Sequence, residues 1–345
     1  MSRWATVLAG GSGTRFWPLS TPDNPKQFLP LSGERPLLEE AVSRLSDLIP
    51  PERILIVTGA PLVQRTRALL PGVPEENVLG EPRAASTAPA LTWATSVARQ
   101  RDPDASLVSL HADWHVGDAA AFCRTAERAL EVAEQHDVLV TVGIVPSRLE
   151  TGYGYIEPGE QLDGDACRVR RFVEKPDADR AAQLIAGGAL WNSGLFAWTA
   201  ARFFTETEEL APEIAPHLSK LASGAVPDFF GSVTPIAVDV SHFERSEHVA
   251  VVPGAFAWDD VGTWAALARV RAADEAGNVT VGEAFAHDAH GCILWADDGP
   301  VVADGVRDLV VVRAKGVTLV TTRERAAGLK ALLETLPQSL LERPS

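Results

Sequence analysis

The chain has 345 residues, 46% of them apolar, and a formal net charge of −15, which suits one large domain with a smaller companion and excludes disorder. The acidic balance tells against nucleic acid or an anionic membrane as partner, since both call for a net basic face, and no apolar run approaches the roughly 20 residues of a membrane span. Three scattered cysteines, Cys123, Cys167 and Cys292, fit neither a metal spacing nor a disulfide framework and point to a reducing, cytoplasmic compartment. In chain order, the apolar start through Thr6-Val7-Leu8-Ala9 is too short for a signal peptide and reads as the first strand. Ile54–Val57, Leu107–Leu110 and Val138–Val142 follow as buried β-branched strands, with helical spacing over 36–47, 62–70, 87–101 and 118–136 between them. Thr87 and Asp118 stand where helix caps are expected. Strand–helix alternation of this kind predicts an α/β fold: a mainly parallel, Rossmann-like sheet flanked by helices, binding its ligand where the strand ends and loops gather. Near Glu275-Ala276-Gly277 the texture changes to short strands (278–281, 292–295, 301–303, 309–312, 317–320) and a closing helix over 323–336. The expected organisation is therefore a domain over 1–275 and a small β-rich domain over 276–345.

The densest chemistry lies directly after the first strand, in Leu8-Ala9-Gly10-Gly11-Ser12-Gly13-Thr14-Arg15-Phe16-Trp17-Pro18-Leu19-Ser20 and then Pro25-Lys26-Gln27-Phe28-Leu29. Three glycines let backbone N–H groups converge on an anion without side-chain obstruction, and Arg15 and Lys26 add charge that can follow phosphate oxygens. An isolated Gly-Gly-Ser-Gly is more often a plain turn. This one is neither a dinucleotide fingerprint, because Phe16 stands in place of the third glycine, nor a Walker loop, which ends Gly-Lys-Ser/Thr.

The extended string resembles the signature loop of the sugar-nucleotide pyrophosphorylases, and its Phe-Trp-Pro-Leu and Pro-Lys-Gln-Phe-Leu parts are similar to the mannose-1-phosphate guanylyltransferase branch. Further matches keep the same order: Glu81-Pro82 with Thr87-Ala88-Pro89-Ala90, Thr151-Gly152-Tyr153-Gly154-Tyr155-Ile156, Phe172-Val173-Glu174-Lys175-Pro176, Trp191-Asn192-Ser193-Gly194-Leu195-Phe196 and Trp258-Asp259-Asp260-Val261-Gly262-Thr263-Trp264. The tail Gly305–Val312 resembles the branch as well, so the similarity spans about 5–320. It implies transfer of GMP from GTP to mannose 1-phosphate with release of pyrophosphate, assisted by Mg²⁺ or another divalent ion. By the same resemblance, Leu8, Ala9, Gly10, Gly11, Gly13, Thr14, Arg15, Lys26, Ser86 and Thr87 hold the nucleotide, and Arg15, Lys26 and Lys175 are catalytic. Gly154, Glu174, Lys175 and Asn192 take the sugar phosphate, and Asp113 and Asp260 hold the metal, with Asp259 the nearer rival of Asp260. The small domain would be β-helix-like, a left-handed form being one option.

Glu174 and Lys175 are neighbours, so on a strand they would face opposite ways; both reach one ligand only if the strand ends there, as Pro176 suggests. Trp191 reads as core packing. Departures from the family lie at Ala85-Ser86, where the branch has Arg-Asn, at Trp114-His115 after Asp113, and at Arg245, where a lysine is expected. Arg83 is the nearest substitute for the missing arginine. Three alternatives stand beside this reading: the same fold with another sugar phosphate or nucleotide, a catalytically silent regulatory subunit, and a nicotinamide-dependent dehydrogenase. The last fails on the glycine loop and on Val57-Thr58-Gly59, which brings no acidic residue to the end of the second strand. Apolar strands in the small domain could pair between subunits, giving a homodimer.

Overall fold

The computed structural model describes residues 2–11 and 13–341, so Ser12 of the glycine loop lies outside the described residues. It resolves into two compact units, one of Met1–Gly10, Ala41–Ala112 and Val116–Trp258, the other of Gly11–Glu40, Asp113–His115 and Asp259–Ser345.

The first unit is built on a nine-stranded sheet. Arg3–Leu8, buried almost throughout, runs parallel to Ile54–Gly59 on one side and Ser106–His111 on the other, with Val7 opposite Ile56 and Leu110. Val78–Glu81 extends this parallel run beyond Ile54–Gly59. Runs of Val, Ile and Leu without alternation are what a strand covered on both faces requires. Leu190–Thr199 enters antiparallel between Ser106–His111 and Leu139–Ile144, and Val249–Pro253 then resumes the common direction beside Leu139–Ile144. The hairpin Tyr155–Asp163 and Ala166–Val173 completes the far edge. The helices Thr87–Arg101, Ala119–His136 and Ala200–Leu210 flank the sheet, and Ala90, Ala94, Ala98, Ala200 and Phe203 of the first and last share one core with Trp4, Leu107 and Trp198. Asp118 caps its helix as expected, its carboxylate accepting from the Ala121 N–H at 2.9 Å. Thr87 does not cap: Ser86, at φ 68°, holds the cap position, and the Thr87 hydroxyl instead accepts from the backbone N–H of Val238 at 2.9 Å.

The second unit carries the β-rich module, a four-stranded sheet ordered Val279–His287, Ile293–Asp304, Leu309–Ala314 and Val317–Thr322. The first three strands are parallel and the last turns back antiparallel. Two strands expected at 292–295 and 301–303 are one, because Ile293–Asp304 continues through the intervening Asp297-Asp298-Gly299-Pro300. The register slips beside Gly282, where φ is +73° and an added Cβ would lie 2.0 Å from the Ala296 carbonyl oxygen. The helix expected over 323–336 is broken into a 3₁₀ turn Arg325–Gly328, a helix Leu329–Leu333 and a further piece Gln338–Leu341; Gly328 and Pro337 are the poor helix formers at the breaks. This sheet packs on Phe16, Trp17 and Trp264, with Trp264 edge-on to both Phe16 and Trp295. Arg271 fastens the same unit by donating to the carbonyls of Pro30, Leu31 and Gly33. Among the described residues no helix is long and apolar enough to cross a membrane.

Candidate active site

The glycine loop leaves the first strand with its backbone already committed. Ala9 N–H donates to the Val57 carbonyl, Thr58 donates to the Ala9 carbonyl, and the Leu8 carbonyl accepts from Ala112. Leu8 and Ala9 are thus buried sheet residues that aim the loop. Beyond them the chain opens: among the described residues nothing lies within 4 Å of a Cβ built on Gly10 or Gly11. Gly13 is different. Its φ of +58° and a Cβ position 2.5 Å from the Lys26 backbone nitrogen leave room for no side chain, and its carbonyl accepts from Ser20 Oγ and from Phe16 N–H. Gly13 therefore seats the Lys26 turn. Thr14 and Arg15 begin a 3₁₀ turn, and the Arg15 guanidinium is exposed and makes no ion pair among the described residues.

Lys26 reaches the predicted acids. Its ammonium lies 2.8 Å from Asp113 Oδ2 and 3.3 Å from the carbonyl oxygens of both Asp260 and Val261. The structure separates the two adjacent aspartates. Asp259, 5% exposed, accepts from Arg269 Nε at 2.5 Å and Nη2 at 3.0 Å and from the Val261 N–H at 2.9 Å. Its carboxylate is thereby held as a brace. Val261 sits at φ +43°, a strained setting for a β-branched residue, and Asp260 folds over Gly262, where an added Cβ would meet Asp260 Oδ2 at 2.8 Å. Among the described residues no group of three or more His, Cys, Asp or Glu side chains gathers as a metal site. As hard oxygen donors, the Asp113 and Asp260 carboxylates are of the kind that suits Mg²⁺, which takes one or two carboxylates and completes its shell with phosphate oxygens and water.

In the first unit, Gly154, Glu174, Lys175 and Asn192 come together. The strand Ala166–Val173 ends just before Glu174, and Lys175 turns to φ +47°, so two consecutive side chains meet as an ion pair instead of pointing apart. The Lys175 N–H donates to the Tyr153 carbonyl and the Asn192 N–H to the Gly154 carbonyl. A Cβ on Gly154 would lie 2.6 Å from Glu174 Oε2; only glycine lets that carboxylate settle against the backbone. Asn192 reaches its place through a bulge between Thr141 and Gly143, where Leu190 crowds the glycine. Its Oδ1 accepts from Thr141 Oγ1 at 3.0 Å and its Nδ2 donates to Asp239 Oδ1 at 2.7 Å. Trp191, 1% exposed, packs edge-on to Tyr153 with the Arg148 guanidinium 4.9 Å over its ring.

Comparisons with known proteins agree in kind. The nucleotidyl transferase family model matches residues 4–277, and a model of the mannoseP isomerase/GMP-like beta-helix domain matches 282–336. A mannose-1-phosphate guanylyltransferase, RfbM of Salmonella typhimurium, is 34% identical over 98% of this chain and 73% of its own length. The chain belongs to the mannose-1-phosphate guanylyltransferase family. A Klebsiella pneumoniae member is 36% identical over 96% of this chain and 74% of its own. A crystal structure from Thermus thermophilus, described as a mannose-1-phosphate geranyltransferase, superposes with a TM-score of 0.90 at 36% identity, covering 97% of this chain and 99% of that one. A putative glucose-1-phosphate thymidylyltransferase from Bacillus anthracis, at 19% identity and a TM-score of 0.53 over 78% of this chain and 94% of that one, shares the fold.

Against the guanylyltransferase pattern, the departures now have structural descriptions. Ala85 is fully buried in the core, so this position turns inward, while Ser86 is exposed in its left-handed setting. Arg83 does not stand free as a replacement: Nε and Nη2 donate to the carbonyls of Phe230 and Val233 at 2.6 and 2.7 Å. Arg245 grips Glu213 with two nitrogens at 2.8 and 3.0 Å and donates to the Leu210 carbonyl, which holds the Glu213 carboxyl below the usual carboxylate range. Two acids carry more than sequence reasoning assigned them. Glu81 ends the strand Val78–Glu81 with Oε1 buried and without a hydrogen-bond partner among the described residues, and burial pushes its carboxyl up to about 7. Asp239, an acid inside the apolar run Ile236-Ala237-Val238-Asp239-Val240, joins the Asn192 cluster. Its sequence signals are that interruption and its place in Val238–Arg245, the stretch that stands where a family motif is expected.

Proposed function

We propose that the chain transfers GMP from GTP to α-D-mannose 1-phosphate, giving GDP-mannose and pyrophosphate. The observation that carries this reading is the meeting of Gly154, Glu174, Lys175 and Asn192, from three separate stretches of a guanylyltransferase-family chain, in one anion- and hydroxyl-binding cluster. A phosphate monoester oxygen is already deprotonated near neutral pH, so its attack on the α-phosphorus of GTP calls for no general base. A phosphorus–oxygen bond forms to the sugar phosphate and the bond to the bridging oxygen breaks, leaving pyrophosphate with the electron pair. Reactant and target are both anions, so positioning and charge neutralisation are what the protein contributes.

Lys175 neutralises the sugar phosphate, Glu174 accepts from sugar hydroxyls, and Asn192 donates to them. The Gly10–Gly13 loop with Thr14, Arg15 and Lys26 cradles the nucleotide phosphates, and Ser86 and Thr87 border the base. Asp113 and Asp260 are the residues that would hold a divalent ion, whose contribution when bound is to neutralise phosphate oxygens. Guanine presents N1–H and N2–H₂ as adjacent donors, and Glu81, at the end of the strand Val78–Glu81, is an acid that can accept from them once ionised. The test is pyrophosphate release with Mg²⁺, pairing GTP, ATP, UTP and dTTP each with mannose 1-phosphate and glucose 1-phosphate. Strong release with GTP and mannose 1-phosphate alone is expected; release with another pair moves the substrate, and silence throughout refutes the transferase reading.

A further inference from the structure

Asp239 poses an electrostatic problem. Among the described residues no Lys, Arg or His makes an ion pair with it, and its carboxyl is raised above the ordinary range first by burial and then by the negative charge of Glu174, with His111 and the Asn192 hydrogen bond only partly opposing the rise. A desolvated carboxylate beside another acid works against stability, and acids perturbed in this way cluster at functional sites. The backbone around it is also unusual. Asp239–Phe243 is a single π-helical turn closed by Glu244 N–H to the Asp239 carbonyl at 2.8 Å, a rare local form that is frequent at functional sites. The turn is held from upstream by Val238 N–H on Thr87 Oγ1 and Ala88 N–H on the Ile236 carbonyl.

The Asn192 amide can face only one way. The Gly194 N–H, which can only donate, points at Oδ1 from 3.2 Å, and Thr141 Oγ1 reaches the same oxygen; the NH₂ group must then be the atom at Asp239. One of its two protons goes to Asp239 Oδ1, and the other has no protein partner among the described residues, on a side chain that is partly exposed. We infer that Asp239 is a positioning residue for sugar-phosphate recognition: its carboxylate locks the Asn192 amide and polarises the remaining Nδ2–H toward a sugar oxygen. A charge-assisted hydrogen bond at one amide proton strengthens what the other can donate. Asp239 thereby favours a hydroxylated phosphate ester over inorganic phosphate, which Lys175 alone would accept.

The inference rests on this cluster being the sugar-phosphate site, and the experiment keeps the two apart. Steady-state kinetics and thermal unfolding would be measured for wild type, Asp239→Asn, Asp239→Leu, Asn192→Ala and the pair Asp239→Leu with Asn192→Ala. Asp239→Leu is expected to raise KM for mannose 1-phosphate about 10- to 100-fold, the range for loss of a hydrogen bond to a charged group, with KM for GTP within about 2-fold. Asp239→Asn, whose own carbonyl oxygen still accepts from Asn192, recovers part of that loss, and its unfolding temperature is equal to or above wild type because a desolvated charge beside Glu174 is gone. The double variant is no worse than Asn192→Ala, since both act through one amide. An unchanged sugar-phosphate KM in Asp239→Leu, or a fully additive double variant, overturns the inference. Equal losses for GTP and sugar phosphate together with lower unfolding temperatures in both Asp239 variants would do the same. An inactive wild type with mannose 1-phosphate instead fails the parent reading; the sugar phosphate that wild type does bind, found by calorimetric titration, then replaces it in the same comparison.

Discussion

Replacing Gly13 and Gly10 by alanine, one at a time, separates two reasons for a glycine. At Gly13 an added Cβ lies 2.5 Å from the Lys26 backbone nitrogen and 3.3 Å from its Cα, against an ordinary contact distance of 3.4 Å. The Lys26 turn must therefore retreat by about 0.9 Å (3.4 less 2.5), and backbone cannot swing aside as a flexible side chain would. The left-handed φ of +58° adds about 1–2 kcal/mol for a residue with a Cβ, and overpacking about 1–3 kcal/mol more. Gly13→Ala should thus destabilise by about 2–5 kcal/mol and also displace the lysine that meets Asp113. Gly10→Ala meets no atom of the described residues within 4 Å, so unfolding should be unchanged, and any rise in KM for GTP must come from the nucleotide itself. Urea unfolding of both variants, with KM for each substrate, reads both effects. Wild-type stability in Gly13→Ala would refute the steric argument, and an unchanged KM for GTP in Gly10→Ala would refute the anion-cradle reading.

The acids and the buried histidine extend the test. Asp113→Asn and Asp260→Asn should each lower turnover by about 100-fold or more while the protein stays folded by circular dichroism; near-normal turnover removes that residue from the mechanism. Glu81→Gln should weaken discrimination of GTP over ATP in competition assays, and unaltered selectivity would exclude Glu81 from the base site. His242 is buried against the Phe203 ring, and burial, then the Arg245 charge, pushes its imidazole down to about 3. Thr207 gives its own proton to the Phe203 carbonyl and so accepts from His242 Nε2–H. Above pH 6.5 the ring is neutral folded or unfolded and contributes no slope. Between 6.5 and about 3 only the unfolded chain takes the proton, so stability falls with pH by up to about 1.4 kcal/mol per unit. Urea unfolding from about pH 7 to about pH 4 should show that slope lessened in His242→Gln; identical slopes would refute the assignment.

Some features were legible in the sequence because their causes are local. Buried parallel strands need unbroken apolar runs, Asp118 lies at the distance its own helix N–H requires, and Pro176 closes a strand so that Glu174 and Lys175 meet. The family motifs belong to the same class, since a glycine before an anion or an acid after a strand is dictated by its immediate neighbours. Other features depend on partners far along the chain. Asp259 and Asp260 are indistinguishable by residue type, and only Arg269, placed by packing, takes one as a brace. Arg83 looked free until the carbonyls of Phe230 and Val233 were present, and Thr87 looked like a cap until Val238 claimed its hydroxyl. Lys26 and Asp113 are 87 positions apart (113 less 26) and Asn192 and Asp239 are 47 apart. Sequence determines which groups can donate, accept or carry charge. Tertiary structure decides which of them meet, because a hydrogen bond or ion pair is settled over about 3 Å in space, a distance that separation along the chain does not encode.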